Sequence, residues 1–554
     1  MILAKTIEGQ RVLKDRTVPL TPRQRAVFVT TTPALAHGVR ELVHSLGGTS
    51  TLFTKPYTAQ RGERMVHMVE FRPLGFNPFS LVRKAVRVDD YLRKRRSVAS
   101  EFVPRELRRT IASVTPVASV PTQCVQVDSS DSLYLCGSAM IPTHNTGRAP
   151  GEMFEGKALF QMKPEQIVDE VKKANLRGRG GGGFPAGQKW ETARNAPGDE
   201  RYVIVNGHEG EPGAFMDRAL FTGNPHKVLE GLIIGAVAIG SHKGFIYTRH
   251  DSPQLIEHIR QALAQAEEYG LLGDDILGSG FDFHVELHFD VGIFVSGESS
   301  ALMRSIEGMP PEPRPKYIRT SVAGIWDRPS NLNNVETWAN VPHIIERGAD
   351  WYASIGTEGS KGTKLVSLSG NVVDSGVVEV PMGTPLRTIV YDIGGGVAGG
   401  KQAKAVHFGG PMGGSIPVSM IDARLDFDEL AKLGAPIGAG GLLVMDEDTD
   451  MVEVARYFLE WLTQESCGKC VPCREGMWQT MKVLENIGKG QGKSGDIARL
   501  EDLNDVTGAA CLCALGKTAA DPLKSMLRYF KDEYETQIAR GDGKSEAAVG
   551  SATK

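Results

Sequence analysis

Apolar positions along this chain recur at different periods in different stretches, and each change of period marks out a part. In "KPEQIVDEVKKANL" Pro164 stands at a first helical position and Ile167, Val168, Val171 and Ala174 fall on one face, which predicts a helix. Tyr202–Val205, "YVIV", is a short continuous apolar run, the pattern of a strand buried on both faces. "VLEGLIIGAVAIG" then predicts a buried helix, "GFIYT" a strand and "PQLIEHIRQALAQAEEYG" an amphipathic helix. "DVGIFVSGESSALMRSIEG" repeats strand, turn and helix, with Gly297 in the turn and Glu298, Ser299 and Ser300 opening the helix. Strands alternating with helices predict an α/β domain. From Thr363 to about Val444 come short strands, "KLVSLSG" and "VVEVP", a short helix, "PLRTIVYDIGGG", and glycines that read as turns, the pattern of a small separate domain. Helical spacing then returns. Met451, Val454, Ala455, Phe458, Leu459 and Leu462 make one stripe, and further helices are expected at "REGMWQTMKVLENIG" and "DIARLEDLN". A last helix, capped by Asp521 with Pro522 next, would bury Leu523, Met526, Leu527, Phe530 and Tyr534. Four such helices predict a small bundle, and "ARGDGKSEAAVGSATK" reads as an unordered tail.

Composition narrows this picture at three points. No apolar run approaches the ~18 residues of a membrane span, and the start of the chain lacks a signal-peptide pattern. Seven cysteines in 554 residues, clustered rather than scattered, argue for a reducing cytoplasm and against a disulfide framework. The net charge of −3 conceals a split: residues 1–145 hold 21 Lys and Arg against 11 Asp and Glu, a net of +10, which leaves −13 for the rest. Two unrelated segments are expected, the first with the charge of a nucleic-acid binder.

The end of that basic segment carries its own chemistry. In His144-Asn145-Thr146 the Asn amide can close on its own carbonyl, the His can protonate the departing amine, and Thr supplies a hydroxyl nucleophile. The segment from Arg108 resembles the C-terminal end of an intein. Upstream, "FVTTTPALAHGVRELVHSLGGTSTLFTK" and "FRPLGFNPFSLVRKAVR" resemble part of a LAGLIDADG homing endonuclease, which would account for the positive charge. No N-terminal intein half precedes them in this sequence, so 1–145 is read as half an intein, a trans-splicing partner or a relic. It divides at 107/108 into an endonuclease-like part and a splicing segment of mixed α and β or all-β structure. Cys124 and Cys136 read as small buried residues.

The candidate binding chemistry begins at "RGRGGGGFPAGQKWE". Five glycines between 178 and 183, interrupted only by Arg179, suit a loop whose backbone N–H groups approach a phosphate or a flat ring without Cβ obstruction; a plain linker is the alternative. At the end of the "YVIV" strand, "NGHEGEPG" places Asn206, His208, Glu209 and Glu211 where open α/β sheets bind ligands. The other reading of the two glutamates is a solvated surface. "NLNNVETWANVP" adds Asn333, Asn334 and Thr337, hydrogen-bonding groups suited to a heterocycle and its polyol.

With these motifs in order, residues from about 147 to 537 resemble the flavin subunit of respiratory complex I and of NAD(P)-linked hydrogenases and formate dehydrogenases. The resemblance implies a Rossmann-like FMN and NAD(P)H domain over 146–355, a β-grasp domain over 356–445 and a helical iron–sulfur domain over 446–537. It implies FMN held by Gly178, Gly180, Gly181, Asn206, Glu209, Gly297, Glu298, Asn333, Asn334 and Thr337, and a dinucleotide contacted by Phe184, Lys189 and Glu211. Glu209, Glu211 and Glu298 are the catalytic candidates. Three positions depart from the family pattern: His208 replaces Asp, Ser299 replaces a second Glu, and Arg319 replaces an aromatic. Losing a carboxylate and gaining a guanidinium would both favour the 2′-phosphate of NADP.

"ESCGKCVPCREG" holds Cys467, Cys470 and Cys473 at three-residue intervals, and "GAACLCALG" offers Cys513 as a fourth ligand 40 residues after Cys473. Cys511 is then a buried bystander. Four thiolates could hold zinc or an iron–sulfur cluster; CxxCxxC with one remote Cys is the spacing of a 4Fe–4S cubane. The resemblance further implies a small thioredoxin-like 2Fe–2S subunit and a larger iron–sulfur subunit as partners, and a cytoplasmic enzyme, free or peripheral on a membrane complex. No nucleic-acid partner is expected for the mature enzyme. The competing expectation is a self-processing precursor that splices or cleaves at Asn145.

Overall fold

The computed structural model describes residues 161–551, save Val291 and Lys316, and ten strands between Lys5 and His144. The chain divides into two units, Met1–Met153 and Phe154–Lys554. In the first, every strand pairing is antiparallel. Lys5–Ile7, Arg25–Thr30, Gly62–Arg72 and Thr49–Ala59 form one sheet in that order, accompanied by three two-stranded ribbons. One ribbon pairs Leu133–Cys136 with Ile141–His144 and sets His144 opposite Leu133. Asn145 and Thr146 lie outside the described residues.

The second unit opens with α1 (Pro164–Lys173), whose Ile167, Val168 and Val171 are buried, followed by the glycine loop and α2 (Ala186–Asn195). Strands β1 (Tyr202–Gly207), β2 (Lys243–Thr248), β3 (His284–Phe289) and β4 (Ser330–Asn334) form a parallel sheet in the order β3-β2-β1-β4. β1 is central and covered on both faces, which is why it is apolar at consecutive positions. The helices are α3 (Met216–Gly223), α4 (Pro225–Ile239), α5 (Pro253–Glu268), α6 (Ser299–Ile306), α7 (Val335–Arg347) and α8 (Ala349–Ala353). α4 is apolar nearly all round because α7 lies against it. Gly231 and Gly235, one turn apart, make room: a Cβ at the first would stand 2.0 Å from the Trp338 carbonyl oxygen, at the second 2.3 Å from its ring. The Trp338 indole N–H donates to the Ile204 carbonyl (2.9 Å), tying α7 to β1.

A strand was expected inside "DVGIFVS"; the structure has none there. The strand is the preceding β3, and Phe294–Gly297 is a 3-10 turn running into α6. β3 is hard to see in the sequence because, as an edge strand with one partner, it keeps only part of its surface covered and alternates polar with apolar residues.

Next come β5 (Thr363–Gly370), β6 (Gly376–Pro381), β7 (Ala403–Phe408), β8 (Gly414–Pro417), α9 (Phe427–Lys432) and β9 (Gly441–Asp446). They form a mixed sheet, β6-β5-β9-β7-β8, in which only β5 and β9 run parallel. The short helix expected in "PLRTIVYDIGGG" is present and is π-helical over Thr388–Ile393.

The C-terminal part is helical: α10 (Met451–Gln464), α11 (Met477–Gly488), α12 (Asp496–Ala510), α13 (Ala514–Thr518) and α14 (Asp521–Ser551). Asp450 caps α10 by accepting the N–H of Val452 (2.8 Å) and Glu453 (3.1 Å). The stripe of α10 packs on Met477, Leu484, Leu500, Met526 and Tyr534. Two expectations are corrected. The short α13 joins the four helices, and α14 breaks at Phe530, which is only partly buried, before continuing through most of the supposed tail.

Candidate functional site

Four pieces of backbone converge at the carboxyl edge of the parallel sheet: the glycine loop, the end of β1, the start of α6 and the junction of β4 with α7. Gly180 lies so close to Asn334 that a Cβ there would stand 2.8 Å from the Asn334 Cβ, and Gly181 sits at φ 108°, a left-handed value that suits glycine. The Arg179 N–H donates to Thr337 Oγ1 (2.9 Å). Asn206 Nδ2 donates to the Gly297 carbonyl (2.9 Å), joining the end of β1 to the turn before α6. Asn334 caps α7 through Glu336 N (2.9 Å) and donates to Asp217 (2.6 Å), while Asn333 donates to Asn331 (3.1 Å). Gly178, Gly180, Gly181, Asn206, Gly297, Asn334 and Thr337 therefore share one locus.

Charge in this locus is dense and buried. Glu209 accepts the N–H groups of Asp217 (2.9 Å) and Arg218 (3.1 Å), which cap α3, and the Arg218 side chain (3.1 Å). Burial nevertheless pushes its carboxyl above the usual range. Glu298 plays the same capping part at α6, accepting from Ser300 (2.9 Å) and Ala301 (3.1 Å). Glu211 differs. It is buried, its Oε1 has no hydrogen-bond partner, and it faces the second sheet: a Cβ on Gly410 would lie 2.4 Å from it and one on Gly441 3.1 Å away. Burial first, and then Glu209, push its pKa up to about 7 against the pull of Lys364. Asp217 is raised well above its usual value by burial, Glu209 and Glu336.

Lys189 donates to the Leu332 carbonyl (2.7 Å), and loss of hydration lowers its pKa to about 8. Phe184 is half exposed beside the loop. His208 holds Asp290 (3.1 Å) and Ser296 (3.1 Å) through Nε2, and its Nδ1 is unpartnered. Burial would raise Asp290, but the hydrogen bonds from His208 and His250 outweigh it and keep the group well below its usual range.

Ser299 is the first residue of α6. Arg319 is exposed, on a segment anchored by Arg314, whose N–H donates to Ser300 Oγ (2.9 Å) and whose guanidinium grips Glu307 (3.0 and 3.2 Å). Among the described residues no hydrogen bond or ion pair links Arg319 to Ser299.

Sequence reasoning passed over a buried ionic frame behind this locus. Arg179, fully buried, donates to the carbonyls of Arg177, Lys361 and Thr363 (2.8, 2.6 and 3.1 Å) and lies 3.9 Å from Glu336. Lys364, also fully buried, pairs with Glu336 and donates to the Leu365 carbonyl (2.8 Å). The signals were present, an arginine inside a glycine run and a lysine opening an apolar strand, but only tertiary contact pairs them.

The cysteines form a second locus. Cys467, Cys470, Cys473, Cys511 and Cys513 line one cavity with Ser466, Lys469, Leu512, Leu515 and Gly516, closed by Val295 from the turn before α6 and by Pro313 beyond it. Thiols ringing a cavity suit a multi-iron cluster better than one zinc. The Leu512 N–H points at Cys470 Sγ (3.4 Å) and Ser466 Oγ lies 3.2 Å from Cys473 Sγ, donors of the kind cluster sulfurs accept. Burial pushes the Cys473 thiol up to about 11 and Cys511 to about 12, and raises Cys513, on which Glu298 also acts. Cys511, expected as a bystander, shares the cavity. The two loci adjoin: the Phe294 N–H donates to Glu465 (2.7 Å), just ahead of Ser466, and Lys469 pairs with Glu312 (3.1 Å).

The donor set of the first locus fits a flavin phosphate and ring. Its loop presents backbone rather than side chains, and its elements hold three buried polar atoms without partners, Glu211 Oε1, His208 Nδ1 and Asn331 Nδ2.

Comparison with known proteins agrees. The Nuo51 FMN-binding domain family matches residues 171–343, and the NADH-ubiquinone oxidoreductase-F iron-sulfur binding region matches 453–537. The NADP-reducing hydrogenase subunit HndC of Solidesulfovibrio fructosivorans is 46% identical over 386 residues, covering 70% of this chain and 79% of its own. The second F-type NADH-quinone oxidoreductase subunit of Rhizobium meliloti is 43% identical over 382 residues (69% and 91%). The F-type subunit of the same enzyme in Escherichia coli K12 is 38% identical over 392 residues (70% and 87%). An NAD+-reducing NiFe hydrogenase structure in the H2-reduced state superposes with a TM-score of 0.65 at 32% identity, over 71% of this chain and 65% of that one.

Proposed function

The chain belongs to the family of F-type NADH-quinone oxidoreductase subunits, which bind FMN and a 4Fe–4S cluster and oxidise NAD(P)H, and from that premise we propose how its residues divide the work. When bound, FMN would supply the change from two-electron hydride chemistry to single-electron transfer that a nicotinamide and an iron–sulfur cluster need between them. The chain's part is to hold and align. Gly180 and Gly181 offer N–H groups to the flavin phosphate, Gly178 closes the loop behind them by donating its N–H to the Phe184 carbonyl (2.9 Å), and Asn206, Asn333, Asn334 and Thr337 hydrogen-bond the flavin ring and polyol. Glu209 and Glu298 act chiefly by capping α3 and α6, which fixes the turns that face the flavin. Glu211 keeps its unpartnered carboxyl for the nicotinamide, with Phe184 and Lys189 on the dinucleotide. Cys467, Cys470, Cys473 and Cys513 hold the cluster.

The observation that carries this reading is the shared wall. Val295 and Pro313, from the flavin domain, close the thiol cavity, so the two cofactors would lie close together. Protein prepared without oxygen and supplied with iron, sulfide and FMN should show a flavin band over broad iron–sulfur absorption, both bleached by NAD(P)H. Absence of either chromophore from folded protein would sink it.

Two finer readings belong here. NADPH is accepted alongside NADH, through Ser299 and Arg319; the NADP named for HndC, 46% identical, supports this. Arg319→Ala should lower kcat/KM for NADPH and leave that for NADH, while equal loss with both would refute it. The five-stranded mixed sheet serves as a β-grasp domain. Partners are a small 2Fe–2S subunit and a larger iron–sulfur subunit, and the chain is cytoplasmic, free or peripheral on a membrane complex. Among the described residues no helix is long and apolar enough to cross a membrane.

Residues 1–145 are half an intein. His144-Asn145-Thr146 and a unit boundary eight residues after Asn145 support this. Mass spectrometry of purified protein should then find a product beginning at Thr146 or joined through it.

A further inference from the structure

We propose that Cys511 is a reserve ligand of the 4Fe–4S cluster, a fifth thiol that takes over the iron held by Cys513 when that bond opens. This deepens the cluster reading above and rests on it. Four cysteines suffice for a cubane, yet five line the cavity. Cys511 ends α12 in extended backbone (φ −85°, ψ 151°), and Cys513 precedes α13 in the same conformation (φ −106°, ψ 174°). The chain bends at Leu512 between them, and all three residues line the cavity. The fifth thiol is therefore delivered to the cavity by the same backbone that delivers the fourth, and both are buried, at 5% and 6% exposure.

The fold keeps a seat for it. A Cβ on Gly516 would stand 2.6 Å from Cys511 Sγ and 3.3 Å from the Cβ of Cys473, so the bare glycine accommodates both cysteines at one point.

The two thiols differ in their surroundings. Cys513 opens α13, with Leu515 and Gly516 beside it on the wall of the cavity. Cys511 ends α12 and meets Cys473 over the bare Gly516. The exchange is balanced without a redox partner. The iron–sulfur bond to Cys513 breaks, one to Cys511 forms, and the Cys511 proton passes to the departing Cys513 sulfur.

The test compares the full chain with Cys511→Ala, Cys513→Ala and the double variant, each reconstituted without oxygen. Iron and acid-labile sulfide per chain are read together with the electron paramagnetic resonance of the reduced cluster. Cys511→Ala should keep wild-type iron and spectrum. Cys513→Ala should keep more than half the iron with a shifted spectrum, and the double variant less than a tenth. Cys513→Ala as empty as the double variant, with its helical circular dichroism intact, would overturn the proposal. Should Cys513→Ala not fold, alkylation of wild-type protein decides. Cys511 should be shielded while the cluster is bound and label once a chelator removes it; labelling with the cluster intact would be fatal. Wild-type protein that takes up no iron would instead refute the cluster reading itself.

Discussion

The flavin locus and the thiol cavity are both buried and both polar, yet they meet the cost of burial in opposite ways. In the first, carboxylates are matched within the chain. Glu209 and Glu298 cap helices, Asp217 holds Asn334, and Glu336 sits between Arg179 and Lys364. In the second, thiols face one another, and burial raises Cys473, Cys511 and Cys513 away from the charged form that ligates metal. A locus balanced by its own residues can stand before its ligand arrives, whereas one short of positive charge is completed by the irons. The flavin locus is thus largely preformed, and the cysteine domain is coupled to its cluster.

The contrast breaks most sharply at the cysteines. Cys473→Ala removes the last thiol of the CxxCxxC run and should abolish the cluster and lower the melting temperature of the helical domain by roughly 10 °C or more. Iron analysis with differential scanning calorimetry reads both, and an unchanged transition would show that the bundle stands alone. Next in size is Glu336→Ala, which strands Arg179 and Lys364 in the interior and should cost about 3–5 kcal/mol in urea unfolding. A loss below about 1 kcal/mol would mean the frame is hydrated rather than buried.

The smallest effect sharpens the one exception in the flavin locus, Glu211. Its folded pKa of about 7 lies above the ordinary 4.5, so the folded state binds the extra proton between those values. Its contribution is favourable below about pH 4.5 and is lost as pH rises through 7. In flavin-free protein Glu211→Gln should flatten that slope and, above pH 7, raise stability by up to about 3 kcal/mol. Parallel pH profiles for the two proteins would remove Glu211 from the strained groups.

Period and spacing along the chain sufficed for the α/β alternation, the apolar stripe of α10 and the cysteine run, because each is local: side-chain direction repeats every two or 3.6 residues and a ligand knuckle closes within a few. The asparagines and glycines of the flavin locus were legible as motifs for the same reason. What sequence could not supply were relations between distant residues. β3 was missed because its pairing with β2 holds it, not its own apolarity. The Arg179–Glu336–Lys364 frame was invisible because its members are far apart in sequence and each alone looks like a surface charge. Whether Glu209 and Glu298 act on a ligand or cap a helix depends on which N–H groups lie within hydrogen-bonding reach of their carboxylates, and Cys511 reads as a bystander until the fold sets it on the wall of the cavity with Cys513. Local periodicity is written in the order of residues; the partner of a buried charge or thiol is chosen only when the chain closes on itself.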